Sequence, residues 1–422
     1  MKHTLVAVTL MISFALAGGT RAATYGWSGL GGNNLWSNGN NWTNVADSST
    51  GTAPGAADEA RFADEENDVV AINADTAANI VQLGNGGMMI TGAYTLTINA
   101  AQDGLIQRAT YYGGGSARID CNVSFPNLNA TGNKFVNWNQ VVTINGNVSV
   151  PGGLTTQFGV NGNGTGKLIL NGQLLLTSAG NTDVRTFGNV GDTEFATQYS
   201  PPNYIRSRIG TLILKGNVGA PLGETAQNVA TVGFDGNTPR RIWIASANGA
   251  SVFSNRFLIA PLGADSGKYQ EFRVKAPTTV ANFIGQMRID HTVWWFVDSG
   301  CLARIKTLNK GDSKTDIPVY MSGGGTTEVY GAASTQFPHK FILSNGVFLV
   351  NNTSGEATHG PVTVCASGVF GGAGSIRGNV SCESGGVVSP GNSVGTLTVS
   401  NATFAAGGIL HWEVNHPNAD KL

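Results

Sequence analysis

Short runs of alternating apolar and polar residues follow one another along most of this chain. Between residues 69 and 350 they include VVAIN, MMITGAYTLTIN, VVTINGNVSV, GKLILNGQLLL, GTLILKGNV, YQEFRVKA, HTVWWFV and FILSNGVFLV. Nearly all are bounded by Gly, Asn or Pro, and no window keeps the spacing of three and four residues that an amphipathic helix requires. The pattern predicts an almost entirely β protein.

The way these strands are joined predicts a coil. The segments GKLILNGQLLL, GTLILKGNV and GTLTVSNATF are loosely self-similar, each an alternating strand broken by a Gly or Asn corner. An open sheet of this length exposes long unpaired edges, whereas a parallel coil pairs every strand with the next turn. We therefore expect a right-handed parallel β-helix (β-solenoid). A pair of β-sandwich domains is the alternative and would require antiparallel hairpins.

The most specific motif lies in residues 374–414, GSIRGNVSCESGGVVSPGNSVGTLTVSNATFAAGGILHWEV. It closely resembles the autotransporter-associated β-strand repeat of bacterial surface proteins. The matching residues are Gly374, Ile376, Gly378, Val380, Gly385, Gly386, Ser389, Pro390, Gly391, Asn392, Ser393, Gly395, Thr396, Leu397 and Val399. The corner Ser389, Pro390, Gly391, Asn392, Ser393 is its most distinctive part. The resemblance implies a secreted or surface-displayed solenoid.

The end of the chain departs from that family. Trp412, Glu413 and Val414, followed by Asp420 to Leu422, resemble the start of an element that in related repeats continues into more strands and then into a sorting signal or an outer-membrane barrel. Here both are missing, so we expect a repeat truncated at its C-terminus. An uncovered last coil is expected to fray or to self-associate end to end.

The first 22 residues have the layout of a cleavable secretory signal. Lys2 and His3 precede an apolar run over residues 5–16, which is too short to span a bilayer. Cleavage is expected after Ala22, with Gly19 as the alternative. The chain then divides into a capping segment (23–68), an irregular solenoid (69–360) and the β-strand repeat (361–422). We expect a secreted or cell-surface protein with no membrane-spanning segment in the mature chain.

Three tryptophans follow the signal in a Gly- and Asn-rich context. Trp27, Trp36 and Trp42, together with Pro54, Asp58 and Phe62, resemble the amino-terminal pattern of the same secreted repeat proteins. Aromatic faces suit the apolar face of a sugar, so these rings are candidate carbohydrate contacts. The favoured interpretation is a cap that shields the first coil from water.

Four cysteines would enter an oxidising compartment. The segments VTVCASGV and NVSCESGGV align on Cys365 and Cys382, so successive coils are expected to place these two residues one above the other, close enough for a disulfide. Two free thiols are the alternative. Cys121 and Cys301 suggest no pairing, and no zinc-ligand spacing occurs.

Charged residues make up 12% of the chain and the formal net charge is −1. A net charge so close to zero gives no electrostatic field that would attract nucleic acid. The low share of charged residues leaves few side chains for acid–base chemistry. Fragments such as Asn181-Thr182-Asp183, Arg304-Ile305-Lys306 and His359-Gly360 resemble pieces of a polygalacturonase site, but their order is wrong and the paired aspartates are missing. The acidic run Asp64, Glu65, Glu66 and Asp68 is interpreted as a solvated corner.

These observations predict a structural or adhesive protein with no catalytic, cofactor-binding or metal-binding residues. Its expected partners are extracellular polysaccharide or cell-surface components. A polysaccharide-binding or polysaccharide-degrading β-helix protein, a glycoside hydrolase or lyase, is the alternative. In HTVWWFV, strand alternation predicts that Trp294 and Trp295 point to opposite sides.

Overall fold

The computed structural model describes residues 22–62, 68–84, 87–101, 105–107, 116–128, 133–136, 141–151, 155–159, 167–172, 174–176, 183–187, 192–195, 204–207, 210–214, 231–234, 240–246, 249–254, 256–259, 270–310, 316–333, 337–391, 393–415 and 418–422. Within these ranges the chain is a β-solenoid whose coils stack through parallel strand pairing. Equivalent residues in neighbouring coils are separated by, for example, 20 residues at Asp75 and Thr95 and 30 residues, from 243 to 273, at Trp243 and Arg273.

Three ladders of parallel strands run along the solenoid. Ladder 1 is the longest, and each strand in it pairs with the next: Val69–Ala71, Met89–Thr91, Ser116–Ile119, Val141–Ile144, Lys167–Leu170, Asp192–Phe195, Gly210–Leu214, Arg240–Ile244, Gln270–Val274, Val293–Val297, Pro318–Ser322, Lys340–Val350, Val362–Gly372, Asn379–Cys382 and Asn401–Phe404. It runs without a break across residues 360 and 361, so the repeat-like segment continues the same solenoid.

Ladders 2 and 3 form the other two sides. Ladder 2 contains Thr24–Trp27, Glu59–Arg61, Ile80–Leu83, Leu105–Gln107, Asn133–Val136, Thr155–Gly159, Asp183–Phe187, Tyr204–Ser207, Thr231–Phe234, Arg256–Ile259 and the second halves of Val280–Ile289 and Leu302–Asn309. Ladder 3 has two stretches. The first is Thr76–Ala78, Thr95–Ile98, Asn122–Ser124, Val148–Val150 and Leu174–Leu176. The second stretch consists, in pairing order, of Ala250–Phe253, the first half of Val280–Ile289, the first half of Leu302–Asn309, Thr326–Val329, the second half of Lys340–Val350, the second half of Val362–Gly372, Val387–Pro390 and Ile409–Leu410.

Antiparallel strand pairing is confined, among the described strands, to two short places. Trp42–Asn44 pairs with Thr24–Trp27, and Val414–Asn415 pairs with Asn418–Ala419. The segment Gly39–Asn41 forms a 3-10 helix. The prediction of an all-β parallel solenoid is therefore confirmed, and the β-sandwich alternative is wrong because the ladders are parallel.

Strand alternation explains the core. Along ladder 1, Ile90, Ile119 and Ile144 are paired in register and each is fully buried, while their sequence neighbours point outward. Burying one such side chain stabilises a protein by about 1.5–3 kcal/mol relative to leaving it exposed. Because every inward residue sits above another inward residue, the apolar alternation of the sequence becomes one continuous core.

Large aromatic side chains fill the core between residues 250 and 300. Phe272 and Trp295 stack in adjacent coils, with ring centroids 4.5 Å apart and planes 9° from parallel. Trp295 is 2% exposed and its indole Nε1 donates to Thr327 Oγ1 at 2.9 Å, whereas Trp294 is 38% exposed. The predicted opposite orientation of the two tryptophans is confirmed.

Asn-Gly corners hold successive coils at close range. Asn171 Nδ2 donates to Asn145 Oδ1 at 2.7 Å, and Asn145 Nδ2 donates to Asp120 Oδ1 at 2.6 Å. A Cβ atom at Gly172 would lie 2.0 Å from the carbonyl oxygen of Gly146. Real Cβ atoms do not approach so closely, so this corner accepts glycine alone.

We expect Gly172→Ala to destabilise the protein by about 1–3 kcal/mol, because the added methyl group must push two coils apart. Gly26→Ala is the matched control, since its Cβ would lie 3.9 Å from the nearest atom, Thr43 O. The control should change the free energy of unfolding by no more than about 0.5 kcal/mol. Urea unfolding followed by circular dichroism measures both, and equal effects would contradict the proposed crowding at the corner.

Candidate functional site

The three predicted sugar-contacting tryptophans are buried. Trp27, Trp36 and Trp42 are 6%, 1% and 0% exposed and pack together with Phe62. Trp42 contacts Trp27 and Trp36 edge to face, at centroid distances of 5.0 and 4.9 Å, and its Nε1 donates to the carbonyl oxygen of Trp36 at 2.8 Å. No ring face is left for a ligand, so the carbohydrate-contact interpretation is wrong for these residues. Their position inside the first described coil fits a cap.

The predicted contact between Cys365 and Cys382 is also wrong. Ladder 1 pairs Cys382 with Val364, one residue before Cys365. The Cys382 side chain is consequently buried, the half-buried Cys365 points to the other side of the strand, and both thiols are free. Cys121 is buried and free as well, and its burial raises the pKa of the thiol to about 12. A thiol so rarely ionised is a poor nucleophile.

The repeat-motif corner is a structural turn. Ser389 and Pro390 end the strand Val387–Pro390, and Gly391 follows in the left-handed region, with φ of +86°. A Cβ atom at Gly391 would lie 1.9 Å from the carbonyl oxygen of Ser393, so the chain folds back tightly on itself here. Asn392 lies outside the described residues.

The polygalacturonase-like fragments have separate structural roles. Arg304 Nε donates to Glu328 Oε2 at 2.6 Å on the outside of ladder 3. His359 Nδ1 instead accepts a hydrogen bond from the backbone N–H of Phe337 at 3.0 Å and thereby fixes a turn. Asn181 and Thr182 lie outside the described residues, as do Asp64, Glu65 and Glu66.

A group of outward side chains on ladder 1 was missed by sequence reasoning. We call it the arginine–aromatic surface, and it comprises Arg241, Trp243, Glu271, Arg273, Lys275, Trp294, Phe296, Asp298 and Tyr320. These residues come from the outer positions of consecutive ladder 1 strands and from the corners that follow two of them. Members on neighbouring strands are distant in sequence but lie side by side because the strands pair in register: Arg241 lies beside Glu271, and Glu271 beside Trp294.

The aromatic rings of this surface stack along the solenoid axis. Trp294 lies on Tyr320 of the next coil, with ring centroids 4.7 Å apart and planes 19° from parallel. Lys275 Nζ lies 4.5 Å from the ring centroid of Trp243, and Arg273 Cζ lies 5.9 Å from that of Phe296. One face of each of these rings is thus covered by another ring or by a cation.

The charged groups form ion pairs between coils. Arg273 Nε donates to Asp298 Oδ1 at 2.8 Å, and Arg241 Nε lies 3.6 Å from Glu271 Oε2. Glu271 also accepts a hydrogen bond from Trp243 Nε1 at 2.7 Å. In both pairs the arginine is the more exposed partner, at 44% against 13% for Arg241 and Glu271 and 38% against 25% for Arg273 and Asp298.

A second polar cluster lies on ladder 3. Glu328 accepts from Arg304 at 2.6 Å and from Asn351 Nδ2 at 2.9 Å, while Arg304 Cζ lies 4.7 Å from the ring centroid of Tyr330. The Tyr330 hydroxyl donates to Asn282 Oδ1 at 3.1 Å, and burial raises the pKa of this tyrosine. The cluster joins four coils through satisfied polar contacts, which is a stabilising arrangement.

The described part of the chain holds no group of three or more His, Cys, Asp or Glu side chains placed to bind a metal ion. Nor does it contain a helix with the length and apolar character needed to cross a membrane.

His339 is a buried histidine with one unsatisfied nitrogen. Its Nε2 donates to the carbonyl oxygen of Ile289 at 2.7 Å, which leaves Nδ1 as an acceptor without a hydrogen-bond partner. Burial lowers the pKa of His339 below its ordinary value of 6.5, against opposing effects of the Ile289 carbonyl, Asp290 and Asp316, while Lys310 lowers it further. The folded protein therefore favours the neutral ring.

This lowered pKa predicts a loss of stability in acid. The unfolded chain binds the proton more readily, so the contribution of His339 is fully present above pH 6.5 and falls as the pH drops from 6.5 toward the folded-state pKa. We expect His339→Phe to weaken the change in urea midpoint between neutral pH and about pH 5. His411→Gln, at an exposed histidine, should leave that change intact, and an unaltered pH dependence in His339→Phe would contradict the prediction.

No protein-family model, curated protein or solved structure matches this chain. Its function must be inferred from its own residues and their arrangement.

Proposed function

We propose that this protein is a secreted or cell-surface β-solenoid with a structural or adhesive role and no catalytic site. The observation that carries the proposal is ladder 1, in which each strand from Val69–Ala71 to Asn401–Phe404 pairs with the next. Continuous main-chain pairing gives a stiff body whose outward side chains occupy regularly spaced positions. A stiff, regular body of this kind is suited to holding outward side chains at fixed spacings along its length, where they can contact a partner.

Surface location is supported by two sequence features. Residues 1–22 have the layout of a secretory signal, and residues 374–399 resemble the autotransporter-associated β-strand repeat of bacterial surface proteins. The repeat-like segment forms coils of the same solenoid, with Val380 paired to Val362 on one side and to Ala402 on the other. We therefore propose export, with extracellular polysaccharide or cell-surface components as partners.

Polysaccharide binding is the second candidate function, favoured by the arginine–aromatic surface. A polysaccharide-degrading activity has less support. General acid catalysis by a glycosidase needs a carboxyl group whose pKa suits proton donation, beside a second carboxylate. The carboxylates of this surface are instead held by arginine side chains.

We expect the full chain, expressed in a bacterium with a Sec pathway, to be exported and to begin at Ala23 after processing. Leu10→Arg should block export by placing a charge in the apolar run, whereas the control Leu10→Val should not. Cell fractionation and the intact mass of the exported protein measure this. Retention of the unprocessed wild-type chain in the cytoplasm would contradict the proposed location.

The exported protein is then incubated with a panel of neutral and acidic polysaccharides. The proposal predicts retention on one or more insoluble polymers or on cells, and no release of new reducing ends or of unsaturated products. Depolymerisation of any polymer by the wild-type chain would overturn the non-catalytic assignment.

Residues 395–422 suggest how two copies could associate. Asp420 is buried and accepts hydrogen bonds from the backbone N–H groups of Gly395 and Glu413, at 2.9 and 2.6 Å, so this segment is tied to the coil before it. The coil nevertheless leaves large apolar side chains exposed: Phe404, Ile409, Leu410, Trp412, Val414 and Leu422. The strands Asn401–Phe404 and Ile409–Leu410 pair on one edge within the described residues.

We propose that this coil associates with the same coil of a second copy. Leu410→Glu and Trp412→Glu should raise the dissociation constant of the dimer about tenfold or more, because each places a charge in the apolar contact. Leu30→Glu is the control, since Leu30 is 85% exposed at the other end of the described chain. Size-exclusion chromatography with light scattering measures the mass across a concentration series, and a wild-type monomer at every concentration would contradict the proposal.

A further inference from the structure

We propose that the arginine–aromatic surface binds an acidic polysaccharide through the carboxylate groups of its sugars, with Arg241, Arg273 and Lys275 as the main contacts. This inference rests on the extracellular role proposed above and names the class of its partner. The argument depends on how the cations are held, on what covers the aromatic rings, and on the local balance of charge.

The arginine side chains are oriented before any ligand arrives. Asp298 contacts Arg273 through Nε, and Glu271 lies closest to Nε of Arg241. No contact of the two Nη nitrogens of either arginine is seen among the described residues. The two arginine side chains are 44% and 38% exposed, against 13% and 25% for their carboxylate partners, so the guanidinium group is the part of each pair that is more open to solvent. A guanidinium group held in this way can donate two parallel hydrogen bonds to a carboxylate.

Aromatic rings hold two of the cations in place. Lys275 Nζ lies over Trp243 at 4.5 Å, and the guanidinium carbon of Arg273 lies over Phe296 at 5.9 Å. Cation–π contacts of this kind restrict the side chain and lower the entropy lost on binding. They also occupy one face each of Trp243 and Phe296, which a neutral sugar would use for stacking. The surface is therefore suited to charge and hydrogen-bond recognition.

Geometry favours a linear polymer lying along the solenoid axis. Arg273 pairs in register with Trp243 of one neighbouring coil and with Phe296 of the other. Neighbouring strands are about 4.8 Å apart, so a chain that follows the axis meets a new outward residue at each coil. Several weak contacts along one polymer add up to useful affinity.

The charge balance favours an acidic polysaccharide over nucleic acid. The surface has three cations and two less exposed carboxylates, in a chain whose formal net charge is −1. Nucleic acid binding without sequence preference depends on many unpaired cations along a densely charged backbone. Here the two partly buried carboxylates offset most of the positive charge at long range, while the hydrogen-bond donors of the cations stay exposed.

The test compares two forms of one polymer on purified full-length protein. Polygalacturonate presents a carboxylate on each sugar, and its fully methyl-esterified form keeps the same backbone without the charge. We expect the protein to bind immobilised polygalacturonate in biolayer interferometry, to bind the ester at least about tenfold more weakly, and to lose affinity as salt is raised. Equal binding to both forms, or tighter binding to duplex DNA, would overturn the proposal.

Variants then locate the contact. Arg273→Gln combined with Lys275→Gln should weaken binding to polygalacturonate about tenfold. Arg118→Gln is the control, because Arg118 is another exposed arginine of ladder 1 that pairs with an aspartate, Asp120, at 2.7 Å, in a distant coil. Its affinity should stay within about twofold of wild type, since it removes one cation outside the surface. Thermal unfolding of each variant checks that the solenoid is intact.

A double variant distinguishes two causes of weaker binding: loss of the guanidinium contact, and repulsion of the polymer by an Asp298 carboxylate that has lost its partner. Arg273→Gln with Asp298→Asn removes the cation without leaving an unpaired carboxylate, and it should bind as weakly as Arg273→Gln. Recovery of wild-type affinity in the double variant would show that repulsion by Asp298 caused the loss, and would overturn the proposal. Because the assay uses purified protein, its failure would leave the proposed export and structural role untouched.

Discussion

Main-chain hydrogen bonding between successive coils is the interaction on which the rest of the molecule depends. It fixes which residue lies above which, and a shift of one residue would turn every side chain of a strand to the opposite side. The buried column of Ile90, Ile119 and Ile144, and the exposed contact of Arg273 with Asp298, both follow from it. The same strand register therefore determines both which side chains are buried in the core and which side chains meet on the surface.

Much of the fold could be predicted because its signals are local. Apolar alternation, Gly and Asn corners and the absence of helical spacing all act within a few residues, and they suffice to predict an all-β coil. The opposite orientation of Trp294 and Trp295 is equally local. The sequence of a single segment does not predict which residues of different coils lie next to each other, because that pairing depends on the length of each intervening corner.

The errors arise at this non-local step. The sequences around Cys365 and Cys382 align on cysteine, yet the coil places Val364 beside Cys382, because pairing follows the strand register and not sequence similarity. The surface around Arg273 was missed for the same reason, since its members gather from several coils. The three N-terminal tryptophans posed a different problem: composition cannot distinguish rings that face a ligand from rings that close a core.

The Asn-Gly corners also constrain how such a molecule can change in length. At Gly172 the backbone of one coil lies so close to Gly146 of the preceding coil that the corner has no room for a side chain, and the amides of Asn171 and Asn145 continue the contact. A residue inserted between two such corners would break the contact with both neighbours. Evolutionary lengthening of this solenoid is thus expected to proceed by duplication of entire coils, each of which contains the glycine that its own corner requires.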